Sequence, residues 1–157
     1  MSLVSRRTFA AALVSLPFLP ASGRAEPPLP KMTMTKDPSC SCCGSWANYL
    51  RQNGFTVDVD VNSNMDRVKT ALGVPESLWS CHTAEIGGYV VEGHVAADVI
   101  RRMLAERPRA IGIAVAGMPQ SAPGMDVAGA ADIYDVALFD ASAQRRYARF
   151  QGLREVP

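Results

Sequence analysis

The sequence lacks an excess of charge of either sign, since 16 basic side chains stand against 15 acidic ones among 157 residues. A general nucleic-acid binder needs a basic face, so this balance argues against nucleic acid as a partner. The sequence also lacks an internal repeat and a low-complexity tract. Because 48% of the residues are hydrophobic and 20% are charged, the chain is not intrinsically disordered. A single globular domain is therefore expected.

The start of the chain lacks an apolar run long enough to cross a membrane. Residues 9–19 are mostly apolar, but a spanning helix needs about 20 apolar residues. This stretch follows a twin-arginine export pattern, Ser5-Arg6-Arg7-Thr8-Phe9, and a small-x-small cleavage site stands at residues 23–25. We therefore expect residues 1–25 to be a twin-arginine signal peptide, with an ordinary secretory signal or an uncleaved anchor as the alternatives.

Cleavage after residue 25 would change the charge and set the compartment. It would remove three arginines and no acid, leaving 13 basic and 15 acidic side chains, a formal charge of −2. The expected destination is the periplasm, where thiols tend to be oxidised. No stable membrane span is expected after cleavage.

The rest of the chain alternates between strand and helix patterns. After a proline-rich linker at 26–30, residues 31–157 are expected to form one domain. The predicted strands are 31–35, 55–61, 83–86, 89–91, 111–115 and 133–139, and the predicted helices are 45–52, 65–72 and 96–106. The four alternating apolar residues of 55–61 predict one buried strand face. The β-α-β-α-β-β-α order predicts a thioredoxin-like α/β sandwich, a central mixed sheet flanked by helices, with an extra C-terminal β pair.

Three of the four cysteines are crowded just before the first predicted helix, at Cys40, Cys42 and Cys43. Thiolates are soft ligands that select Cu(I), Zn(II) or iron–sulfur clusters. Adjacent cysteines suit a polynuclear cluster better than a single zinc ion, whose paired cysteines are usually spaced by two to four residues. Two alternatives remain open: disulfide exchange through Cys40 and Cys43, which form a C-x-x-C motif, and two structural disulfides.

The remaining soft ligands are few and fall at strand ends or in a loop. In a thioredoxin-like fold the loop that holds Cys81 faces the reactive cysteines, so Cys81 completes a four-sulfur site. The chain has only two histidines, His82 and His94, and imidazole suits both copper and zinc. Each histidine could instead be an ordinary polar residue.

Two methionines, Met118 and Met125, lie in a loop rich in glycine and proline. A thioether is a soft, uncharged ligand that suits Cu(I). The alternative is that both side chains pack the loop onto the sheet. Together with the clustered cysteines, the methionines favour copper and leave zinc as the alternative metal.

At this point several motifs, taken in order, resemble the CopG family of bacterial copper-resistance proteins. The motifs are Cys40-Ser41-Cys42-Cys43, Trp46, Gly54-Phe55, Ser80-Cys81-His82-Thr83-Ala84, Tyr89-Val90-Val91-Glu92-Gly93-His94-Val95, Gly117-Met118-Pro119 and Pro123-Gly124-Met125. The resemblance covers roughly residues 30–140. The family often has proline where this chain has Ala96 and Ala116.

The resemblance implies a periplasmic thioredoxin-like domain that binds a polynuclear copper–thiolate cluster. Carried over, Cys40, Cys42, Cys43 and Cys81 would hold the cluster, with His94, Met118 and Met125 nearby. The hypothesis is therefore a copper-resistance protein that holds Cu(I) and cycles between Cu(I) and Cu(II). Its partners would be copper ions and other periplasmic copper-handling proteins. Copper oxidoreductase activity is left open, and the alternative is a periplasmic thiol–disulfide oxidoreductase that uses Cys40 and Cys43.

Overall fold

The computed structural model describes residues 28–125, 127, 129 and 131–157. The predicted signal peptide at 1–25 and the first two linker residues lie outside these ranges, so the signal peptide stays a prediction. Among the described residues, no helix is both long enough and apolar enough to cross a membrane.

Eight strands and three α-helices make up the regular structure of the described residues. The helices are α1 (Ser41–Gln52), α2 (Met65–Ala71) and α3 (Ala97–Glu106). The strands are β1 (Met32–Lys36), β2 (Val57–Val61), β3 (His82–Ile86), β4 (Tyr89–Glu92), β5 (Gly112–Ala114), β6 (Ile133–Phe139), β7 (Gln144–Gln151) and β8 (Arg154–Val156). A short 3₁₀ helix, Glu76–Leu78, precedes β3.

All eight strands belong to one sheet in the order β2-β1-β3-β4-β5-β6-β7-β8. The pairs β1–β2 and β4–β5 are parallel and the other pairs are antiparallel. The predicted α/β class with a central mixed sheet is confirmed, and so is the predicted order of its first seven elements. The more specific thioredoxin-like assignment stays a prediction.

Helix α1 begins four residues earlier than predicted, and this changes where the cysteines lie. Cys40 is the N-cap residue, so Cys42 and Cys43 lie in the first turn of the helix rather than before it. The turn that starts the helix is built by Asp37, whose Oδ1 accepts the Ser39 N–H at 2.8 Å. Cysteine is not among the residue types usual at an N-cap, and the Cys40 side chain makes no capping hydrogen bond. The true start of the helix therefore lacks the usual N-cap signal in the sequence.

The prediction that one face of 55–61 is buried was wrong for most of β2. Val57 is buried, but Val59 and Val61 are 36% and 60% exposed. The reason is topological, because β2 is an edge strand whose only neighbour in the sheet is β1.

The C-terminus carries two strands that the sequence reading missed, in addition to the predicted pair β5–β6. Strand β7 pairs with β6 and with β8. Its buried Ala148 and Phe150 alternate with more exposed residues, and Phe150 stacks on Tyr134 with ring centroids 5.6 Å apart. The sheet therefore extends two strands further than the predicted β pair.

The pairing register brings the cysteines and histidines to one end of the sheet. The last residue of β1, Lys36, is opposite the first residue of β3, His82. The last residue of β4, Glu92, is opposite Thr83. The segments that follow β1, precede β3 and follow β4 therefore meet at the same end of the sheet, where α1 also begins. Trp46, a fully buried residue of the main core, contacts this end of the sheet through the ring of His82.

Candidate metal centre

The four cysteines come together as the sequence predicted, with one sulfur from each lying within 4.8 Å of the others. Cys40 and Cys43 form a disulfide, with their Cα atoms 5.6 Å apart. Cys42 and Cys81 are free thiols, and Cys42 Sγ lies 3.6 Å from Cys40 Sγ. Because one disulfide is present among these four described cysteines, the alternative of two structural disulfides does not describe this structure.

Both histidines lie beside Cys81. Its Sγ is 3.3 Å from Nδ1 of His82 and 3.1 Å from Nε2 of His94. Nδ1 of His94 lies 2.7 Å from the carbonyl oxygen of Pro123. A carbonyl only accepts, so Nδ1 carries the proton and Nε2 presents its lone pair to Cys81. This is the orientation that a metal-binding imidazole adopts when a backbone carbonyl holds its other nitrogen.

The ring of His82 is enclosed by aromatic neighbours. It lies 4.3 Å from the Trp46 ring and 5.0 Å from the His94 ring, between centroids. Within the described part of the chain, its Nε2 is buried without a hydrogen-bond partner. A buried nitrogen without a hydrogen bond costs free energy of folding. Nε2 of His82 therefore has a hydrogen-bonding capacity that no described residue uses.

The titration behaviour of the centre follows from its burial. Burial, followed by the nearby Cys42, raises the pKa of the Cys81 thiol to about 12. Burial also lowers the pKa of His94, against the opposing effect of the Pro123 carbonyl, and it lowers that of His82 well below the usual range. The isolated centre therefore favours a neutral thiol and neutral imidazoles, and a metal cation that bound Cys81 would displace the thiol proton.

Two glycines allow the loops around His94 to approach closely. Gly93 has φ +69°, and a Cβ there would stand 2.6 Å from the Ser80 hydroxyl oxygen. Gly124 has φ +80°, and a Cβ there would stand 2.6 Å from the backbone nitrogen of Trp46. Since both positions need left-handed backbone and leave no room for a side chain, these glycines are required for the present loop packing.

An open cavity of about 530 Å³ lies over the cysteines. Its lining includes Cys40, Cys42, Cys81, Lys69 and Met118, and Met118 is 56% exposed at this surface. Met125 does not line this cavity, and its partly buried side chain packs against the main core. The structure therefore brings Met118, but not Met125, to the cavity over the thiols.

A buried ion pair beside the centre was missed by the sequence reading. Nζ of Lys69 donates to Oε1 of Glu92 at 2.5 Å, and the two side chains are 4% and 0% exposed. The pKa of Glu92 is raised by burial, against the opposing charge of Lys69. An acidic residue directly after the apolar run of β4 was the available signal for Glu92. Lys69, in contrast, looks like any charged residue on a surface helix.

The fold and the centre define a class: an α/β protein that gathers sulfur and imidazole groups at one end of a mixed sheet, under an open cavity. A family model described as "Protein of unknown function, DUF411" matches residues 78–125. Two solved structures described as copper resistance protein copG, form 1 and form 2, are 39% and 41% identical to this chain. Each has a TM-score of 0.71, and the matches cover 82% and 83% of this chain and 98% and 99% of those chains.

No curated protein sequence matches the chain. At these identities and this coverage, the chain belongs to the CopG-type family of copper resistance proteins. The family resemblance predicted from the motifs is thereby confirmed, and a copper-related role is supported.

Proposed function

We propose that this protein is a periplasmic copper-binding protein of copper resistance that holds Cu(I) in a cysteine-thiolate centre. The observation that carries the proposal is the meeting of four sulfur atoms within 4.8 Å of one another, three from the start of α1 and one from the loop before β3. Thiolates are soft ligands that bind Cu(I) well, and the thioether of Met118 at the same cavity favours Cu(I) over zinc. The partial positive charge at the start of α1 would also stabilise an anionic cluster there.

The ligands of this centre would be Cys40, Cys42, Cys43 and Cys81, with His94 beside Cys81. The crowding of sulfurs suits a polynuclear cluster in which one thiolate bridges two copper ions. His82 offers a second imidazole, and Met118 offers a thioether at the mouth of the cavity. Met125 stays a predicted ligand by its place in the loop motif, and its binding would need a movement from its present packing.

The disulfide sets a condition on this function. A dithiol reductant, itself oxidised to a disulfide, would supply the two electrons and two protons that convert the Cys40–Cys43 disulfide into two thiols. Each thiol would then lose its proton when it binds copper. We propose that the reduced chain is the form with full Cu(I) capacity. A one-electron oxidant would take one electron from each bound Cu(I) to give Cu(II), and a one-electron reductant would return it. The protein would exchange copper with other periplasmic copper-handling proteins.

The test is a Cu(I) titration of the reduced, purified protein, followed by elemental analysis of protein from copper-fed cells. Wild-type protein is expected to bind more than one Cu(I) per chain, and Cys42→Ser is expected to bind fewer. Binding of less than one Cu(I) per chain by the wild type would contradict the proposal.

The alternative metal is zinc, which thiolates also bind. The protein is loaded with both metals and dialysed against a mild chelator. Retention of copper with loss of zinc is the expected result, and retention of zinc alone would overturn the choice of copper.

A second candidate function, thiol–disulfide exchange, is favoured by one observation. The Cys40–Cys43 disulfide occupies a C-x-x-C motif at the N-terminal end of a helix, where thiols become reactive in disulfide oxidoreductases. Reduction of insulin disulfides separates the two functions. Efficient insulin reduction together with weak Cu(I) binding would favour the oxidoreductase.

A further inference from the structure

One carboxylate contacts the chain on both sides of Cys81 and His82. Oε1 of Glu92 accepts the Ser80 N–H at 2.6 Å, and Oε2 accepts the Thr83 hydroxyl at 2.6 Å. The two-residue segment between these contacts carries two of the candidate ligands. Glu92 is therefore placed to fix the position of that segment from both ends.

Lys69 reaches this carboxylate from α2, which lines the same cavity. Its Nζ donates to Glu92 Oε1 at 2.5 Å and to Thr83 Oγ1 at 3.0 Å. Replacing a buried ion pair by apolar residues is often neutral or stabilising, so stability alone is a weak account of this pair. The pair does, however, place two side chains on the same residue, because the Thr83 hydroxyl accepts from Lys69 and donates to Glu92.

The spacing that this arrangement fixes is close to the one that a shared metal needs. Metal bonds of about 2.3 Å to sulfur and about 2.0 Å to imidazole nitrogen, the values for zinc, place two such ligand atoms about 3.5 Å apart at a tetrahedral angle. Cys81 Sγ and His94 Nε2 are 3.1 Å apart. Because Ser80 is adjacent to Cys81, loss of the Glu92 contact at Ser80 would free the cysteine to leave this position.

We propose that Glu92, with Lys69 as its counterion, is a positioning residue of the metal centre, holding Cys81 at ligand distance from His94. The proposal rests on the proposed metal-binding function. Glu92 acts through the Ser80–Thr83 segment and does not itself contact the metal.

The experiment compares two double variants of the reduced, full-length protein. Lys69→Met with Glu92→Leu removes both contacts to the segment, whereas Lys69→Met with Glu92→Gln removes the charges but keeps an acceptor for Ser80 and a polar partner for Thr83. Cu(I) affinity is measured by competition with a chromophoric Cu(I) chelator, and the thiolate-to-copper ultraviolet absorption is recorded. The leucine variant is expected to bind about 10–100-fold more weakly, with an altered spectrum, and the glutamine variant to resemble the wild type.

A matched control and a second variant keep the test decisive. Lys31→Met removes an exposed ion pair with Asp58 and is expected to leave Cu(I) affinity unchanged. If the leucine variant does not fold, Thr83→Val removes the Thr83 contacts to Glu92 and Lys69, keeps the Ser80 contact, and is expected to weaken Cu(I) binding. Unchanged affinity and spectrum in the leucine variant, or in Thr83→Val where that variant is needed, would overturn the positioning role alone. Failure of the wild type to bind Cu(I) would overturn the proposed function as well.

Discussion

Separating the two members of the buried ion pair should destabilise the protein more than removing both. The change is Lys69→Met, Glu92→Leu and their combination, each in the metal-free protein with its disulfide intact. Lys69→Met leaves a fully buried carboxylate without its counterion, and Glu92→Leu leaves a buried ammonium group. Breaking a buried pair in this way costs about 3–5 kcal/mol of unfolding free energy.

The magnitude follows from the short distance and the lack of solvent. Two unit charges 2.5 Å apart attract by about 6–7 kcal/mol at an effective dielectric constant of about 20. Desolvation of both groups offsets most of this attraction in the intact pair. A single variant loses the attraction but keeps the desolvation penalty of the remaining charge. The double variant loses the attraction and both desolvation penalties. We therefore expect the double variant to be less destabilised than either single variant.

Urea denaturation, followed by circular dichroism, measures these differences in unfolding free energy. The shift of the urea midpoint gives each difference, provided that the dependence of the free energy on urea is unchanged. Lys31→Met is the matched control, because its partner Asp58 also lies at 2.5 Å but the two side chains are 59% and 53% exposed. Its cost should stay below about 1 kcal/mol. Additive costs in the double variant, with no coupling between positions 69 and 92, would refute this reasoning.

Three further predictions concern other parts of the molecule. Gly124→Ala should lower the free energy of unfolding by about 1–3 kcal/mol or more, and Gly152→Ala should lower it less. Both glycines have positive φ, but only at Gly124 would the new Cβ meet backbone atoms. Urea midpoints test this difference. The pKa of Tyr147 is raised to about 12 by burial and by its contact with a carboxylate, so its protonated form is favoured in the folded state. Wild-type stability should therefore fall between about pH 10 and pH 12, and Tyr147→Phe should lose less stability in that window. Met118→Ala should weaken Cu(I) binding with little change in stability, whereas Met103→Ala, in the core, should cost about 2–5 kcal/mol and leave Cu(I) binding intact.

The parts of the fold that followed from the sequence were those with a strong local pattern. The predicted strands 83–86 and 89–91 flank Gly87-Gly88, and both glycines have the positive φ that a two-residue hairpin turn needs. The predicted helix 65–72 was also found, as α2, and its N-cap Asn64 accepts the Arg67 N–H through its side chain. In both cases a few neighbouring residues determine the backbone.

The parts that were missed depend on contacts between distant segments. The start of α1 was misplaced because a cysteine stands at the N-cap without a side-chain hydrogen bond. Strand β7 was overlooked because its exposed arginines hide the alternation of Ala148 and Phe150. In each case the local residue types are poor indicators of secondary structure. The neighbouring turn determines where α1 begins, and the neighbouring strands determine that β7 forms.

The candidate site was predicted in its sulfur and imidazole groups but not in what supports them. Cysteine is rare enough that four of them, placed on a plausible fold, indicate a shared site. The partnership of Lys69 with Glu92 spans 23 positions in sequence, and nothing local marks the lysine as buried. Supporting residues of this kind become visible only once the sheet register is known.

The exposed edge strand β2 also bears on how this protein behaves at high concentration. Its outer backbone groups face away from the sheet, and an unpaired edge is a template on which another chain can add. Asp58 and Asp60 alternate with the exposed valines along this strand. Two copies that paired through β2 would bring these carboxylates close together, and like charges in opposing positions destabilise strand pairing. The same alternation that suggested a buried face thus protects the protein against growth of the sheet from molecule to molecule.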